Sequence, residues 1–204
     1  KWLQSHPGRA MQLLADPLFE MGNHSWSHPN FRLIPAPAMQ DQILRTQAQY
    51  HLLREELATL AQARGLDSTE MDKIPRLPLT FRFPFGACNA TALEVTAGAG
   101  LPAIQWSIVT ADSWKGQSPA KLADLILKRA RPGAIVIMHA NGKGLHTAAA
   151  LPLCVPQLRQ QDYELVTVSE LLAAGRIIAS SSCYEEKPGD NLRYDRPAPK
   201  TRRP

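Results

Sequence analysis

The amino-acid sequence predicts an α/β fold in which parallel strands alternate with helices. Short apolar segments rich in β-branched residues recur along the chain, and a helical pattern follows most of them. These segments are apolar throughout rather than alternating, which is typical of strands buried on both faces. Polar residues also lie at the ends of several segments, where the chemistry of βα barrels collects.

The predicted elements follow in chain order. Strands are predicted at residues 18–22, 79–83, 103–109, 134–139 and 163–168. Helices are predicted at 7–17, 36–64, 89–98, 119–130 and 147–161, with another starting at 170. The longest helical pattern, 36–64, spaces apolar residues at steps of three, four and seven, which gives one apolar face.

Length and charge limit the domain organisation. The chain has 204 residues, which suits one domain, and a net charge of +5. Much of this charge lies after Tyr184, in a segment that is also rich in proline. We therefore expect one domain at 1–183 and a disordered basic tail at 184–204, with contact to an anionic polymer as the tail's alternative role. Because the rest is close to neutral, we expect no nucleic-acid binding.

The cysteines and the apolar runs exclude two further classes of protein. Cys88, Cys154 and Cys183 form an odd set without a C-x-x-C motif, so no disulfide framework or zinc knuckle is implied. We expect each to be a small buried or incidental residue. No run approaches the roughly 20 apolar residues of a membrane span.

Two histidines four residues apart are the first candidate site. His24 and His28 occur in GNHSWSHPN, with Pro29 directly after the second. Residues i and i+4 share one helical face, so both imidazoles could bind one cation. A pair that caps and packs at the end of a helix explains the same spacing. The spacing alone does not decide between these interpretations.

The segment FRFPFG at 81–86 is the second candidate site. Pro84 stiffens the turn, and Gly86 allows a close backbone approach or a positive φ. Arg82 ends an apolar strand, so its guanidinium must reach solvent or find an acidic partner. A purely structural ion pair is the alternative role.

A histidine and an aspartate at the ends of two later strands are the third candidate site. His139 follows four apolar residues and could act as a general acid or base, or simply bond to loop backbone. Asp112 could orient that imidazole and favour its charged form, or serve as a turn residue. Trp106 and Trp114 could form an apolar wall for sugar rings, with core packing as the alternative.

Taken in order, these motifs resemble the polysaccharide deacetylase family, the carbohydrate esterases with a NodB-homology domain. HSWSHP, RFPFG, DSW and IMH occur in family order between about Lys1 and Ala174, and H-[S/T]-x-x-H-P followed by R-x-P-x-G is a specific combination. The resemblance implies a distorted (β/α) barrel that removes acetyl groups from N-acetylated sugars. It also implies one divalent metal, usually zinc, with cobalt or another divalent ion as an alternative.

The resemblance also implies roles for individual residues. His24 and His28 would be metal ligands. His139 would be the general acid that protonates the departing amine, and Asp112 would hold and tune it. Arg82 would orient the catalytic base.

Three further residues would contact the substrate. Trp114 would wall the pocket, Ile137 would fill the apolar position before the last histidine, and Pro84 would belong to the same substrate-binding set. Ser113 separates Asp112 from Trp114, whereas the two positions are adjacent in many members of the family.

The chain departs from the family in one larger respect. Family members begin with a strand that ends in an aspartate pair, in which one aspartate is the base and the other is the third metal ligand. No Asp-Asp occurs in this sequence. We therefore expect the barrel to lack its N-terminal strands, and the chain to be an incomplete fragment of a longer protein.

The resemblance predicts an N-deacetylase acting on glycans of the chitin-oligomer or peptidoglycan type, outside the cytoplasm, in the periplasm, in the envelope or as a secreted protein. Two alternatives remain open at this point. An enzyme with the same site could cleave a non-sugar amide or a cyclic imide. A protein that genuinely lacks the aspartates could bind glycans without catalysis.

Overall fold

The computed structural model describes residues 1–65, 68–140, 142–180, 182–186 and 190–195. The α-helices of these ranges are α1 (Trp2–Ser5), α2 (Pro7–Ala15), α3 (Ala36–Ala63), α4 (Ser68–Asp72), α5 (Ala90–Gly98), α6 (Pro119–Arg129), α7 (Thr147–Gln160) and α8 (Val168–Ala174). The strands are β1 (Ile108–Val109) and β2 (Val136–Ile137). Within the described residues, none of the helices combines the length and apolar character needed to cross a membrane.

The chain divides into two compact units. Unit 1 comprises Lys1–Ile104 together with the described part of Ile178–Pro204, and unit 2 comprises Gln105–Ile177. Unit 1 is therefore built from two separate stretches of chain, and unit 2 from one continuous stretch.

Unit 1 contains a narrow parallel sheet made of single bridges. Phe81 bridges Asn23 on one side and Ala103 on the other, both in parallel orientation. The predicted strands at 79–83 and 103–109 thus take part in parallel pairing, although over fewer residues than predicted. The predicted strand at 18–22 pairs only at Asn23, one residue beyond its predicted end.

Helix α3 supplies much of the core of unit 1. Its apolar face is buried in the order that the periodicity predicts, with Met39, Ile43, Tyr50 and Leu53 each at most 2% exposed. Tyr50 and Leu53 pack with α2, and Met39 and Ile43 pack with the phenylalanines around the sheet. This packing fixes α3 beside the segment that carries the predicted histidine pair.

Unit 2 is a two-stranded parallel sheet with a helical pair. β1 pairs with β2 in the register Ile108 to Val136 and Val109 to Ile137. Helices α6 and α7 pack through a buried apolar cluster, whose members are Leu122, Ala123, Ile126, Ala150, Cys154 and Leu158. β2 is joined to this cluster through the partly buried Val136.

The strand predicted at 163–168 is wrong. Residues 163–167 form no ladder with any described segment, and α8 already begins at Val168. A capping box starts α8, in which the Thr167 side chain accepts from the Glu170 amide and the Glu170 carboxylate accepts from the Thr167 amide. The helix therefore begins at the last residue of a segment whose composition favours a strand.

The expectations for the tail and for the cysteines also need correction. Cys88 and Cys183 form a disulfide that joins positions 95 residues apart. Beyond it, residues 190–195 form a 3-10 helix, so this described part of the predicted tail has regular structure. Residues 187–189 and 196–204 of the predicted tail lie outside the described residues.

Hydrogen bonds hold this C-terminal segment to the body of unit 1. Arg32 donates to Asp195 at 2.8 Å and to the side chain and backbone of Asn191 at 2.8 and 2.7 Å. The buried Asn191 side chain donates in turn to the carbonyl of Gly86. The disulfide and these bonds together hold the described residues 182–186 and 190–195 to the rest of unit 1.

We predict that the disulfide stabilises unit 1 strongly, because it closes a long loop in the unfolded chain. Replacing both Cys88 and Cys183 by serine should lower the free energy of unfolding by about 2–4 kcal/mol. Urea titrations with and without reductant measure this, and reduced wild-type protein should match the double variant. Cys154→Ala, outside the bridge, is the control and should keep the response to reductant. A wild-type midpoint that reductant does not move would contradict the prediction.

Candidate active site

The histidine pair of unit 1 lies in a turn, not on a helix. Residues 22–30 contain no helical residue, and Ser25 and His28 have positive φ values of 68° and 62°. The shared helical face expected from the i, i+4 spacing is therefore wrong as a geometric argument. The two histidines nevertheless come together, because the left-handed residues fold the chain back on itself.

Side chains, rather than regular backbone bonding, hold this turn. Oε1 of Gln42, on α3, accepts from the backbone amides of Trp26 and Ser27 at 3.1 and 2.8 Å. The amide of His28 donates to Ser25 Oγ at 3.0 Å, and the buried Asn23 side chain accepts from the Ser25 amide at 3.0 Å. The turn is thus fastened to the core helix and to the sheet.

The two imidazole rings of the turn pack edge-on against each other. Their ring centroids are 4.9 Å apart, with an interplanar angle of 80°. His24 Nδ1 lies 2.5 Å from the carbonyl oxygen of Arg82, and because a carbonyl only accepts, Nδ1 carries the proton. His24 Nε2 then holds the lone pair that coordinates metals, and such a backbone partner is typical of ligating histidines.

The binding of a divalent metal by His24 and His28 stays a prediction. Within the described residues, no group of three or more His, Cys, Asp or Glu side chains is arranged to hold a metal ion. The described part of the chain therefore presents a pair of nitrogen ligands. The third ligand that the resemblance implies is an aspartate, for which this sequence has no motif.

The turn Pro84–Gly86 lies shortly after Phe81, the central residue of the narrow sheet in unit 1. Gly86 has a φ of 57°, which accords with the conformation expected of it, and Phe85 has a φ of 60°. The Phe85 ring packs edge-on against the His28 ring with centroids 4.7 Å apart. Pro84 is buried, so Phe85 is the exposed side chain of this turn, and a substrate contact by Pro84 stays a prediction.

The backbone of Arg82 forms hydrogen bonds within this region, whereas its guanidinium forms no ion pair with a carboxylate among the described residues. Its amide donates to the Asn23 carbonyl at 2.9 Å, and its own carbonyl accepts from His24. Among the described residues, no ion pair involves Arg82, so the structural ion pair considered as the alternative is not present there. Burial lowers the pKa of Arg82 to about 10, and the side chain stays charged at neutral pH.

In unit 2, the strand register brings Asp112 and His139 together. Val109 pairs with Ile137, and Asp112 and His139 follow these residues by three and two positions. Between β1 and Asp112, the buried Thr110 donates its hydroxyl to the Ile137 carbonyl at 2.7 Å. The two loops therefore leave the sheet side by side.

Asp112 and His139 form a closely bonded pair. His139 Nδ1 lies 2.8 Å from Asp112 Oδ1, and the His139 backbone amide donates to Oδ2 at 2.6 Å. The Thr147 hydroxyl also donates to Oδ2, at 2.6 Å. The Asp112 side chain is 3% exposed and that of His139 is 42% exposed, so the carboxylate is buried behind an accessible imidazole.

The hydrogen bonds keep this carboxylate ionised despite its burial. Burial alone raises the pKa of Asp112, but the bonds from Thr147 and from the side chain and amide of His139 outweigh it and hold the pKa below its ordinary value. Because an ionised carboxylate only accepts, His139 carries its proton on Nδ1. In the neutral imidazole, Nε2 is then the ring nitrogen that holds the lone pair.

The tryptophans and Ile137 differ in how accessible they are. Trp114 is 62% exposed, and its indole lies so close to Gly116 that a Cβ on that glycine would collide with the ring. Trp106 is buried, which agrees with the core-packing alternative for it. Ile137 is half-buried in β2, and its substrate contact stays a prediction.

Sequence reasoning missed the residues that support the site. Gln42 carries no motif signal, because its contact with Trp26 and Ser27 depends on where α3 packs. Thr147 shows only as the first residue of a predicted helix, and its bond to Asp112 depends on the loop before α7. Asn23, directly before the first histidine, is the one that position alone could have indicated.

Comparison with known proteins identifies relatives of the chain. A sequence model of the family described as polysaccharide deacetylase matches residues 1–104. The peptidoglycan-N-acetylglucosamine deacetylase PgdA of Listeria monocytogenes is 34% identical over 152 residues, which cover 74% of this chain and 27% of that protein. The chitooligosaccharide deacetylase of Rhizobium leguminosarum bv. trifolii is 25% identical over 187 residues, which cover 78% of this chain and 81% of the relative.

Solved structures share the fold. A pseudoenzyme of carbohydrate esterase family 4 from Bacillus anthracis superimposes with a TM-score of 0.66 at 24% identity, over 86% of this chain and 54% of that one. The peptidoglycan deacetylase PdaC from Bacillus subtilis gives a TM-score of 0.60 at 24% identity, over 83% and 70%. These likenesses show the fold, whereas closure into a distorted barrel stays a prediction.

The extent of the matches differs from relative to relative. The chain spans about a quarter of the length of the Listeria protein and about half of the pseudoenzyme chain. The family match nevertheless covers just over half of this chain, including His24, His28 and Arg82. The Listeria relative is 34% identical to the chain over 74% of its length. The chain therefore belongs to the polysaccharide deacetylase family.

Proposed function

We propose that the protein is a hydrolase that removes N-acetyl groups from glycans containing N-acetylglucosamine, of the peptidoglycan or chitin-oligomer type. The observation that carries this proposal is the pair of Asp112 and His139, in which a buried ionised carboxylate fixes the tautomer of an accessible imidazole. Amide hydrolysis needs such a group, because an amine leaves poorly until it is protonated.

His139 and Asp112 divide the proton chemistry between them. After water has added to the acetyl carbonyl, the protonated His139 donates from Nε2 to the amide nitrogen as the carbon–nitrogen bond breaks, which releases the sugar amine and acetate. Asp112 accepts the bond from Nδ1–H throughout and stabilises the imidazolium before it gives up its proton. The backbone bond from His139 to the same carboxylate prevents the pair from separating.

His24 and His28 would hold a divalent metal, with zinc as the favoured ion and cobalt as an alternative. When bound, such a metal supplies Lewis-acid polarisation of the acetyl carbonyl and of a water molecule. The proton on His24 Nδ1 supports this role, since it directs Nε2 away from the backbone. Arg82, a half-buried cation without an ion pair among the described residues, would orient an anionic base.

The relatives and the disulfide support the substrate class and the location. The matched proteins are named peptidoglycan-N-acetylglucosamine and chitooligosaccharide deacetylases. The exposed Trp114 ring offers an apolar face of the kind on which sugar rings stack. The Cys88–Cys183 disulfide favours an oxidising compartment outside the cytoplasm, where these glycans occur.

A glycan-binding pseudoenzyme is the second candidate. A structural relative is named as a pseudoenzyme of this family, and within the described residues no group of three metal-binding side chains occurs. This candidate predicts binding of N-acetylglucosamine oligomers without release of acetate.

We predict that His139→Gln lowers kcat for acetate release by about 10²- to 10⁴-fold, since that is the usual contribution of a general acid. Acetate is measured from N-acetylglucosamine oligomers and from peptidoglycan, using the full-length protein from its native gene with added Zn²⁺ or Co²⁺. His51→Gln, on α3, is the matched control and should keep wild-type activity. Binding of oligomers without acetate release from metal-loaded wild-type protein would favour the pseudoenzyme instead.

Metal binding should depend on both histidines of the turn. His24→Ala and His28→Ala should each weaken Zn²⁺ affinity at least about tenfold, because even loss of an outer-shell partner costs that much. Isothermal titration of the chain with Zn²⁺ measures the affinity, with His51→Ala as the control. If neither turn variant weakens binding, the pair does not hold the metal.

The ionised state of Asp112 should appear in the pH dependence of stability. Its lowered pKa means that its contribution is fully present above the unfolded value of about 3.9 and is lost as pH falls through the folded value. The difference in unfolding free energy between wild type and Asp112→Asn should therefore shrink as the pH falls below about 4. Asp124→Asn, at an exposed helix pair, should show a small difference throughout. A difference for Asp112→Asn that persists undiminished at the acidic end would contradict the assignment.

A further inference from the structure

We propose that Thr147 and Gly144 are positioning residues that hold Asp112 in the orientation in which it aligns His139. The proposal rests on the proposed function of His139 as a proton donor. Neither residue belongs to the motifs that carry the family resemblance. Their role follows from three features of unit 2: the division of bonds on the carboxylate, the docking of α7, and the path of the loop before α7.

The two oxygens of Asp112 are used differently. Within the described residues, Oδ1 bonds only to the imidazole, through Nδ1 at 2.8 Å. Oδ2 accepts two bonds, from the His139 amide and from the Thr147 hydroxyl, each at 2.6 Å. Two donors from different directions oppose rotation about the Cβ–Cγ bond, so Oδ1 stays aligned with the ring. Without the hydroxyl, the backbone amide alone would resist that rotation.

Helix α7 delivers the Thr147 hydroxyl from a fixed position. Thr147 is the first residue of this helix, and Ala150 and Cys154 lie three and seven residues further on the same face. Both are buried in the cluster with α6, at 0% and 1% exposure. The packing therefore sets the rotation of α7, and with it the direction of Thr147. The positive N-terminal end of the helix adds a favourable interaction with the carboxylate.

Gly144 allows the loop to pass close enough for this contact. A Cβ at this position would collide with the His139 carbonyl oxygen and would lie 2.5 Å from Thr147 Oγ1 and 3.0 Å from Asp112 Oδ2. The Gly144 carbonyl also accepts from the Thr147 amide, at 3.4 Å. A side chain here would have to displace at least one of the three groups that form the pair and its support.

Loss of the Thr147 hydroxyl would destabilise the ionised form of the Asp112 carboxylate. Asp112 is buried, and the bond from Thr147 is the largest influence that opposes the rise in its pKa on burial. A buried carboxylate that loses a donor becomes easier to protonate and freer to rotate. Either change weakens the bond from Nδ1–H that fixes the tautomer of His139.

Nuclear magnetic resonance of the whole chain labelled with ¹⁵N-histidine tests this directly. Wild type and Thr147→Ser should show His139 with Nδ1 protonated, whereas Thr147→Val should show a mixture of tautomers, because valine keeps the shape and removes the donor. Gly144→Ala should resemble Thr147→Val. Gly98→Ala, where a Cβ would meet nothing within 4 Å, is the control and should resemble wild type.

Two measurements keep the outcome unambiguous. The thermal transition of Thr147→Val shows whether the variant folds, and Thr147→Ser supplies the donor again if it does not. An unchanged Nδ1-protonated signal in a folded Thr147→Val protein would overturn the role of Thr147. The same result in folded Gly144→Ala would overturn the role of Gly144.

The activity of the full-length protein provides the second readout. Thr147→Val should lower kcat roughly tenfold or more with little change in KM, and Thr147→Ser should restore most of it. The resonance experiment requires no catalysis, so a tautomer change in a protein that releases no acetate would support the positioning role and reject the proposed function. The reverse result, activity with no effect of Thr147→Val on tautomer or kcat, would reject the positioning role alone.

Discussion

Burial of the Asp112 carboxylate is the constraint on which the structure of unit 2 depends. An ionised carboxylate costs several kcal/mol to remove from water unless donors replace the solvent. Those donors come from two separate places, His139, which lies two residues after β2, and the start of α7. The strand register and the packing of α6 on α7 are therefore needed for this site, because they place the two donors within hydrogen-bond distance of the carboxylate.

Unit 1 meets a related constraint by other means. The turn from Asn23 to His28 has two left-handed residues and lacks helical bonding, so its backbone amides need partners from side chains. Gln42 provides the most important of these from α3. The histidines are thus oriented by a helix that follows them in sequence, and the apolar face of that helix is what secures their geometry.

The elements that could be predicted from the sequence are those that depend on patterns of neighbouring residues. The periodicity of α3 depends only on nearby residues, and the helix ends one residue before its predicted end. The order of the motifs selected His24, His28 and His139 as candidates, and their roles stay predictions. The shape of the histidine turn was not predictable, since the same spacing suits a helix and a turn, and only the position of α3 decides. The pairing of Cys88 with Cys183 also depends on tertiary structure, because no local feature relates positions 95 residues apart.

The discontinuity of unit 1 has a consequence for the order of folding during synthesis. All of unit 2 is encoded between Ile104 and Ile178, so it leaves the ribosome before the segment that closes unit 1. Cys88 must then remain a free thiol until Cys183 emerges, since its partner is the last cysteine of the sequence. The buried Cys154 appears in between, and early folding of α6 with α7 removes it from competition for the wrong pairing.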